Sequence, residues 1–181
     1  MPSHRVTVIV RCEGLQDHCF IYRYLVQKGV PRHSIQIRHS PGGKGAATQW
    51  VLQQYAVEVK ALRSGPPLAK GLISMVDADN LEVADRKQQH DDRLQASGQN
   101  RRADKERIAV VVPKRNIETW IHHLLGTLGV NEIVAYPKFG GEERTCAPAA
   151  EEFARRCLNQ MRADDLPSLR DGCAELQRIA P

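Results

Sequence analysis

No Cys-x-x-Cys pair occurs in this sequence. Its five cysteines, Cys12, Cys19, Cys146, Cys157 and Cys173, are odd in number and scattered, which argues against a disulfide framework and a structural zinc site. No apolar run approaches the roughly 20 residues a membrane span needs, so no membrane partner is expected. No Gly-x-x-x-x-Gly-Lys-Ser/Thr loop is present, which excludes a P-loop nucleotidase. The closest stretch, Gly42-Gly43-Lys44-Gly45, reads as a turn opening a helix, with Lys44 a candidate phosphate contact. The seven histidines form no His-Glu-x-x-His or His-x-Glu pattern. The opening residues Met1 to Arg5 show no small-residue cleavage region of a signal peptide. A reduced, cytoplasmic setting is therefore the expectation.

What is present fits one soluble α/β domain. The 181 residues carry a net charge of +5, and its distribution is uneven. Between Arg86 and Arg115 nine basic residues meet four acids, a local excess equal to that of the whole chain. Such a concentration suits a phosphate backbone, and Arg86, Lys87, Arg93, Arg101, Arg102 and Arg115 are its candidate contacts. A solvated helix and loop would carry the same charges.

Short β-branched runs alternate with helical patterns. Strands are predicted at Val6–Val10, Ser34–Arg38, Leu72–Val76 and Ile108–Val112, with amphipathic helices between them. This is the pattern of a mostly parallel sheet covered by helices. The stretch from Ser97 to Asp104 reads as a mobile polar loop. Beyond Tyr136 two helices are expected, near Ala149–Met161 and Leu166–Ile179. Residues 1–135 are thus read as the α/β core and 136–181 as a helical extension packed on the same domain.

Ligands of parallel α/β sheets bind at the carboxyl ends of the strands, and three strand ends here carry acids. Glu13-Gly14 follows the first strand, with Asp17 just beyond. Asp77-Ala78-Asp79 follows the third, and Lys114-Arg115-Asn116-Ile117-Glu118 the fourth. Clustered carboxylates favour a hard divalent cation, magnesium or manganese. Gly14 is expected to let the chain turn sharply beside a bound phosphate. Each acid also has a local reading: Asp77 or Asp79 as the cap of a helix starting near Leu81, Asp17 and Glu118 as first-turn acids.

At these residues the sequence resembles the Toprim fold, shared by topoisomerases, DnaG-type primases, RecR and the overcoming-lysogenisation-defect (OLD) nucleases. Glu13-Gly14 and Asp77-Ala78-Asp79 look like the two Toprim motifs, and the resemblance spans roughly Arg5 to Leu125. Asn116 to Trp120 is similar to small stand-alone Toprim-like proteins in which a further acid joins the site. The resemblance implies a Rossmannoid three-layer fold with about four strands. It implies a metal held by Asp77 and Asp79, Glu13 as metal ligand or general acid/base, and Asp17 and Glu118 as supporting ligands. Lys114 or Arg115 would stabilise the phosphate in the transition state.

Two functions follow. One is a magnesium- or manganese-dependent nuclease acting on DNA or RNA, which the resemblance links to anti-phage defence with a separate partner ATPase. The other is a nucleic-acid-binding or adaptor module without turnover. A homodimer through the C-terminal helices is compatible with either.

Overall fold

The computed structural model describes residues 7–42, 46–65, 70–139 and 145–179. Lys44, the candidate phosphate contact, lies outside the described residues. The elements run β1 (Val8–Cys12), α1 (Leu15–Gln27), β2 (Ile35–His39), α2 (Ala47–Ser64), β3 (Gly71–Met75), α3 (Val83–Ala96), β4 (Ile108–Val111), α4 (Ile117–Leu124), α5 (Cys146–Asn159) and α6 (Pro167–Gln177). The strands form one all-parallel sheet in the order β2-β1-β3-β4.

Alternate strand residues feed two apolar layers, because side chains along a strand point to opposite faces. Val8, Val10, Cys12, Ile73, Met75, Ala109 and Val111 pack with α1, α4, α5 and α6. Ile9, Leu72, Ile108 and Val110 pack with α2 and α3. The result is a three-layer α/β fold. Double-sided coverage explains why the inner strands read as nearly continuous apolar runs.

β1 extends two residues beyond the predicted Val6–Val10 run, to Cys12, so Arg11 sits inside the sheet; Val6 lies outside the described residues. Its buried guanidinium pairs with Glu58 of α2 and donates to the Val10 carbonyl at 2.9 Å. A charge inside a central strand defeats an apolar-run reading.

β4 is an edge strand, and α6 covers its open side. Glu175 accepts the Val110 N–H at 3.0 Å, while Arg102 donates to the Ile108 carbonyl at 3.0 Å. Arg102 and Lys87 both pair with Glu175, and Lys87 also reaches Asp171 at 2.6 Å. Burial alone would raise the Glu175 carboxyl, but these partners outweigh it and hold it at about 2. Lys87 and Arg102, expected on nucleic acid, thus close the sheet edge instead. The Ser97–Asp104 stretch, expected to be mobile, is tied down as well. Gln99 donates to the Ala56 carbonyl at 2.9 Å, and Arg63 to the carbonyls of Asn100 and Arg101 at 2.9 and 3.2 Å.

The helices after Tyr136 share the main core. Phe153 of α5 lies among Phe20, Tyr24 and Trp120 at centroid distances of 5.3–5.7 Å. Gly172 of α6 faces Trp120 so closely that a Cβ there would stand 2.3 Å from the indole. Cys157 and Cys173 form a disulfide between α5 and α6, with Cα atoms 5.7 Å apart. The odd, scattered cysteines argue against a disulfide framework, and one pair nonetheless joins; a separation of 16 residues across two helices leaves no local spacing signal. Among the described residues no helix is long and apolar enough to cross a membrane.

Candidate functional site

The loops at the carboxyl end of the sheet enclose a cleft of about 630 Å³. Glu13, Asp17, Asp77, Asp79 and Glu118 all line it, together with Arg115, Lys138 and Phe139. Five acids from three strand ends therefore converge as the sequence predicts.

Glu13 follows β1 directly and is held by two donors. The Asp77 N–H donates to one of its oxygens at 2.8 Å, and the Thr48 hydroxyl at the start of α2 donates to the other. Asp17 stands in the first turn of α1 and accepts the Gly14 N–H at 2.9 Å. Gly14 itself is extended, at φ −141°, a conformation open to any residue. The chain does bend sharply at Glu13 and Gly14, but without the positive φ that only glycine adopts freely, and Gly14 gives its N–H to the Asp17 carboxylate.

Neither Asp77 nor Asp79 caps the next helix, since Glu82 occupies that position. Asp79 and Arg115 both adopt left-handed backbone, at φ 53° and 69°. Such geometry costs a side-chain-bearing residue roughly 1–2 kcal/mol. The strain is stabilised by an extension of the β3–β4 pairing beyond the strands. Ala78 N–H donates to the Pro113 carbonyl at 2.8 Å and Asp79 N–H to the Arg115 carbonyl at 3.1 Å. The two acid-bearing loops are thereby fixed to each other.

Electrostatics mark the cleft. Burial, with Glu13 and Glu118 close by, pushes Asp17 up to about 8. Burial and the other four acids raise Asp77 well above the carboxylate range, and burial also raises Glu118. Asp17 Oδ1 and Asp77 Oδ1 are buried and accept no hydrogen bond from the protein. Buried polar atoms are rarely left in that state.

No family model, curated protein or solved structure matches this chain.

Two orphaned carboxylate oxygens in an acidic cleft fit a hard divalent cation, and Asp17, Asp77, Glu13 and Glu118 are the residues that would hold it. As the side chains stand, however, no group of three His, Cys, Asp or Glu among the described residues is placed to hold a metal ion, so a cation there requires the carboxylates to turn toward it. Asp79 in particular is turned toward Arg86, which it meets at 2.8 Å.

The basic segment divides. Arg86 is buried, donates to the Asp77 carbonyl at 2.9 Å and pairs with Asp79, so it braces the acidic loop instead of facing a backbone. Lys114 turns away, to the Leu81 carbonyl at 2.6 Å and Glu82 at 2.7 Å, and does not line the cleft. Arg115 does, with a buried Nε–H that has no acceptor. Arg93 bonds Gln49 at 3.0 Å, and the exposed Arg101 lies 3.8 Å from Asp91. Arg101 belongs to a shallow groove with Lys60, Arg63 and Lys105 at the opposite end of the sheet. Sequence adjacency overstated the patch, because the 14 residues of α3 separate its halves by about 20 Å.

Sequence reasoning missed Thr48, Lys138 and Phe139. Lys138 is the exposed cation whose charge opposes the rise of Asp17 and Glu118. Phe139 stacks on His122 at 5.1 Å and 25°, and Tyr136 also meets His122, at 5.1 Å and 39°. Thr48 opens α2, whereas Lys138 and Phe139 lie in a connecting segment; none belongs to a motif, and only the tertiary fold carries them to the cleft.

Proposed function

We propose that this chain is a divalent-metal-dependent phosphodiester hydrolase of Toprim type, acting on DNA or RNA. The observation that supports it is the pair of buried, unpartnered oxygens of Asp17 and Asp77 inside a five-carboxylate cleft. Magnesium or manganese bound there would offset the acids' repulsion, polarise a phosphate and lower the pKa of an attacking water. Glu13, fixed by Thr48 and the Asp77 N–H, is positioned to take and return a proton. Arg115 supplies a cationic donor at the rim for the charge that develops on phosphate oxygens. Lys138 adds a second cation to the lining, and Phe139 an aromatic ring on which a base can stack. Arg86 is a positioning residue for the Asp77–Asp79 loop.

A second reading, a binding or adaptor module without turnover, draws on the Asp79–Arg86 pair, which turns one expected ligand out of the acid cluster. Cleavage of labelled DNA and RNA under magnesium and manganese titration separates the two. The hydrolase reading expects metal-dependent cleavage that Asp77→Asn abolishes. Cleavage that survives both Asp77→Asn and Glu13→Gln rules out this site. Salt-sensitive binding without turnover supports the adaptor.

A further inference from the structure

His18 and His39 take no part in the carboxylate cluster, yet they meet beside it. His18 lies in the first turns of α1, one residue past Asp17, and His39 is the last residue of β2. The parallel register sets His39 opposite Cys12 at the end of β1, which brings the end of β2 alongside the start of α1. The two Nδ1 atoms stand 3.4 Å apart, with ring centroids 5.6 Å apart and ring planes at 54°. That separation is a long hydrogen bond, one ring donating to the other according to tautomer. It is equally the spacing of two imidazole nitrogens on one tetrahedral ion. Bonds of about 2.05 Å opened to the tetrahedral angle set their nitrogens about 3.3 Å apart. His39 is exposed and His18 half-buried, so an ion can reach the pair from solvent.

We propose that His18 and His39 form a two-histidine site for a late first-row transition-metal dication of the zinc, nickel or copper class. Imidazole nitrogen selects these ions over magnesium, whereas the carboxylate cleft has the opposite preference. The two sites therefore differ in ligand chemistry although they adjoin. With two protein ligands and water in the remaining positions, the site is an exchangeable one. An ion there joins the start of α1, which carries Asp17, to the end of β2, which leads into the cleft-lining Ser40. The site does not depend on the hydrolase reading.

The test is calorimetric titration of zinc and of nickel into the full chain, in excess magnesium to occupy the carboxylates. The variants are His18→Ala, His39→Ala, the double variant and Asp77→Asn. One ion per chain is expected, weakened at least about tenfold by either histidine change and unchanged by Asp77→Asn. Equal binding by the wild type and the double variant overturns the proposal. So does binding that Asp77→Asn removes and the double variant keeps. Imidazole NMR of the unsubstituted protein repeats the test without a mutation. Zinc at one equivalent must shift His18 and His39, and shifts confined to other histidines overturn the assignment.

Discussion

Asp79 and Arg115 hold each other in left-handed backbone across the rim of the cleft. The Asp79 N–H donates to the Arg115 carbonyl at 3.1 Å, and the Arg115 guanidinium returns to the Asp79 carbonyl at 3.3 Å. Neither residue is glycine, although glycine would adopt these angles without strain. Strain maintained at the mouth of an acidic cleft points to side chains kept for chemistry.

Arg115→Gly relieves the left-handed strain and removes the cation together. Its melting temperature should equal or exceed that of the wild type, because relief of about 1 kcal/mol offsets the greater freedom of glycine in the unfolded chain. Metal-dependent cleavage should fall at least about tenfold. A calorimetric scan beside a cleavage assay checks both. Loss of stability with full activity would place Arg115 in the scaffold alone.

Glu13 depends on Thr48 for one of its two donors. Thr48→Val keeps the shape and removes the hydroxyl, so cleavage should drop about tenfold while Glu13→Gln drops it at least a hundredfold. The ordering of the two variants under saturating magnesium is the measurement. Equal, small effects would remove Glu13 from proton transfer.

Asp17 predicts a stability slope in the metal-free protein. Its folded-state value of about 8 exceeds the unfolded value of about 3.9. Between these pH values the folded chain retains a proton that the unfolded chain has released, so Asp17's contribution to stability is full below pH 4 and declines as pH rises toward 8. Asp17→Asn should flatten that slope and raise stability at pH 8. Magnesium should do the same for the wild type by favouring the charged acids. Urea unfolding at pH 5, 6.5 and 8, with and without magnesium, tests the sign.

Arg102 sits in a buried network with Glu175 and the edge of β4. Arg102→Ala should cost roughly 3 kcal/mol of stability, since it removes the two-pronged partner of a buried carboxylate and leaves only Lys87 and the Val110 N–H. It should leave the salt dependence of nucleic-acid binding unchanged, because that side chain never meets a phosphate. A reduced salt slope at unchanged stability would restore it to the binding surface.

Gly172→Ala should be among the most damaging single-methyl additions. Trp120 is fully buried, its indole N–H donates to Ser168 at 2.7 Å, and the added Cβ would meet it at 2.3 Å. Overpacking of this kind costs about 1–3 kcal/mol. A shift in the urea midpoint without a change in m value is the expected signature.

The alternation of β-branched runs with 3.6-residue periodicity determined the α/β class, the four strands and the strand ends that bear acids. Those signals are local, because strand and helix periods are written in neighbouring residues. Arg11 shows the limit. Its burial in β1 rests on Glu58, 47 residues away, so no local pattern announces it. The same distance effect decided which cations serve the cleft. Lys87 and Arg102 went to the edge of β4 because Glu175, more than 70 residues on, needed partners there. Lys138 and Phe139 reached the acids through a connection, and Thr48 from the first turn of α2, none of them part of a motif. Sequence periodicity therefore determined where the carboxylates stand. Only the tertiary structure decided which charges face them, since a long side chain pairs with whatever opposite charge the fold brings within about 4 Å.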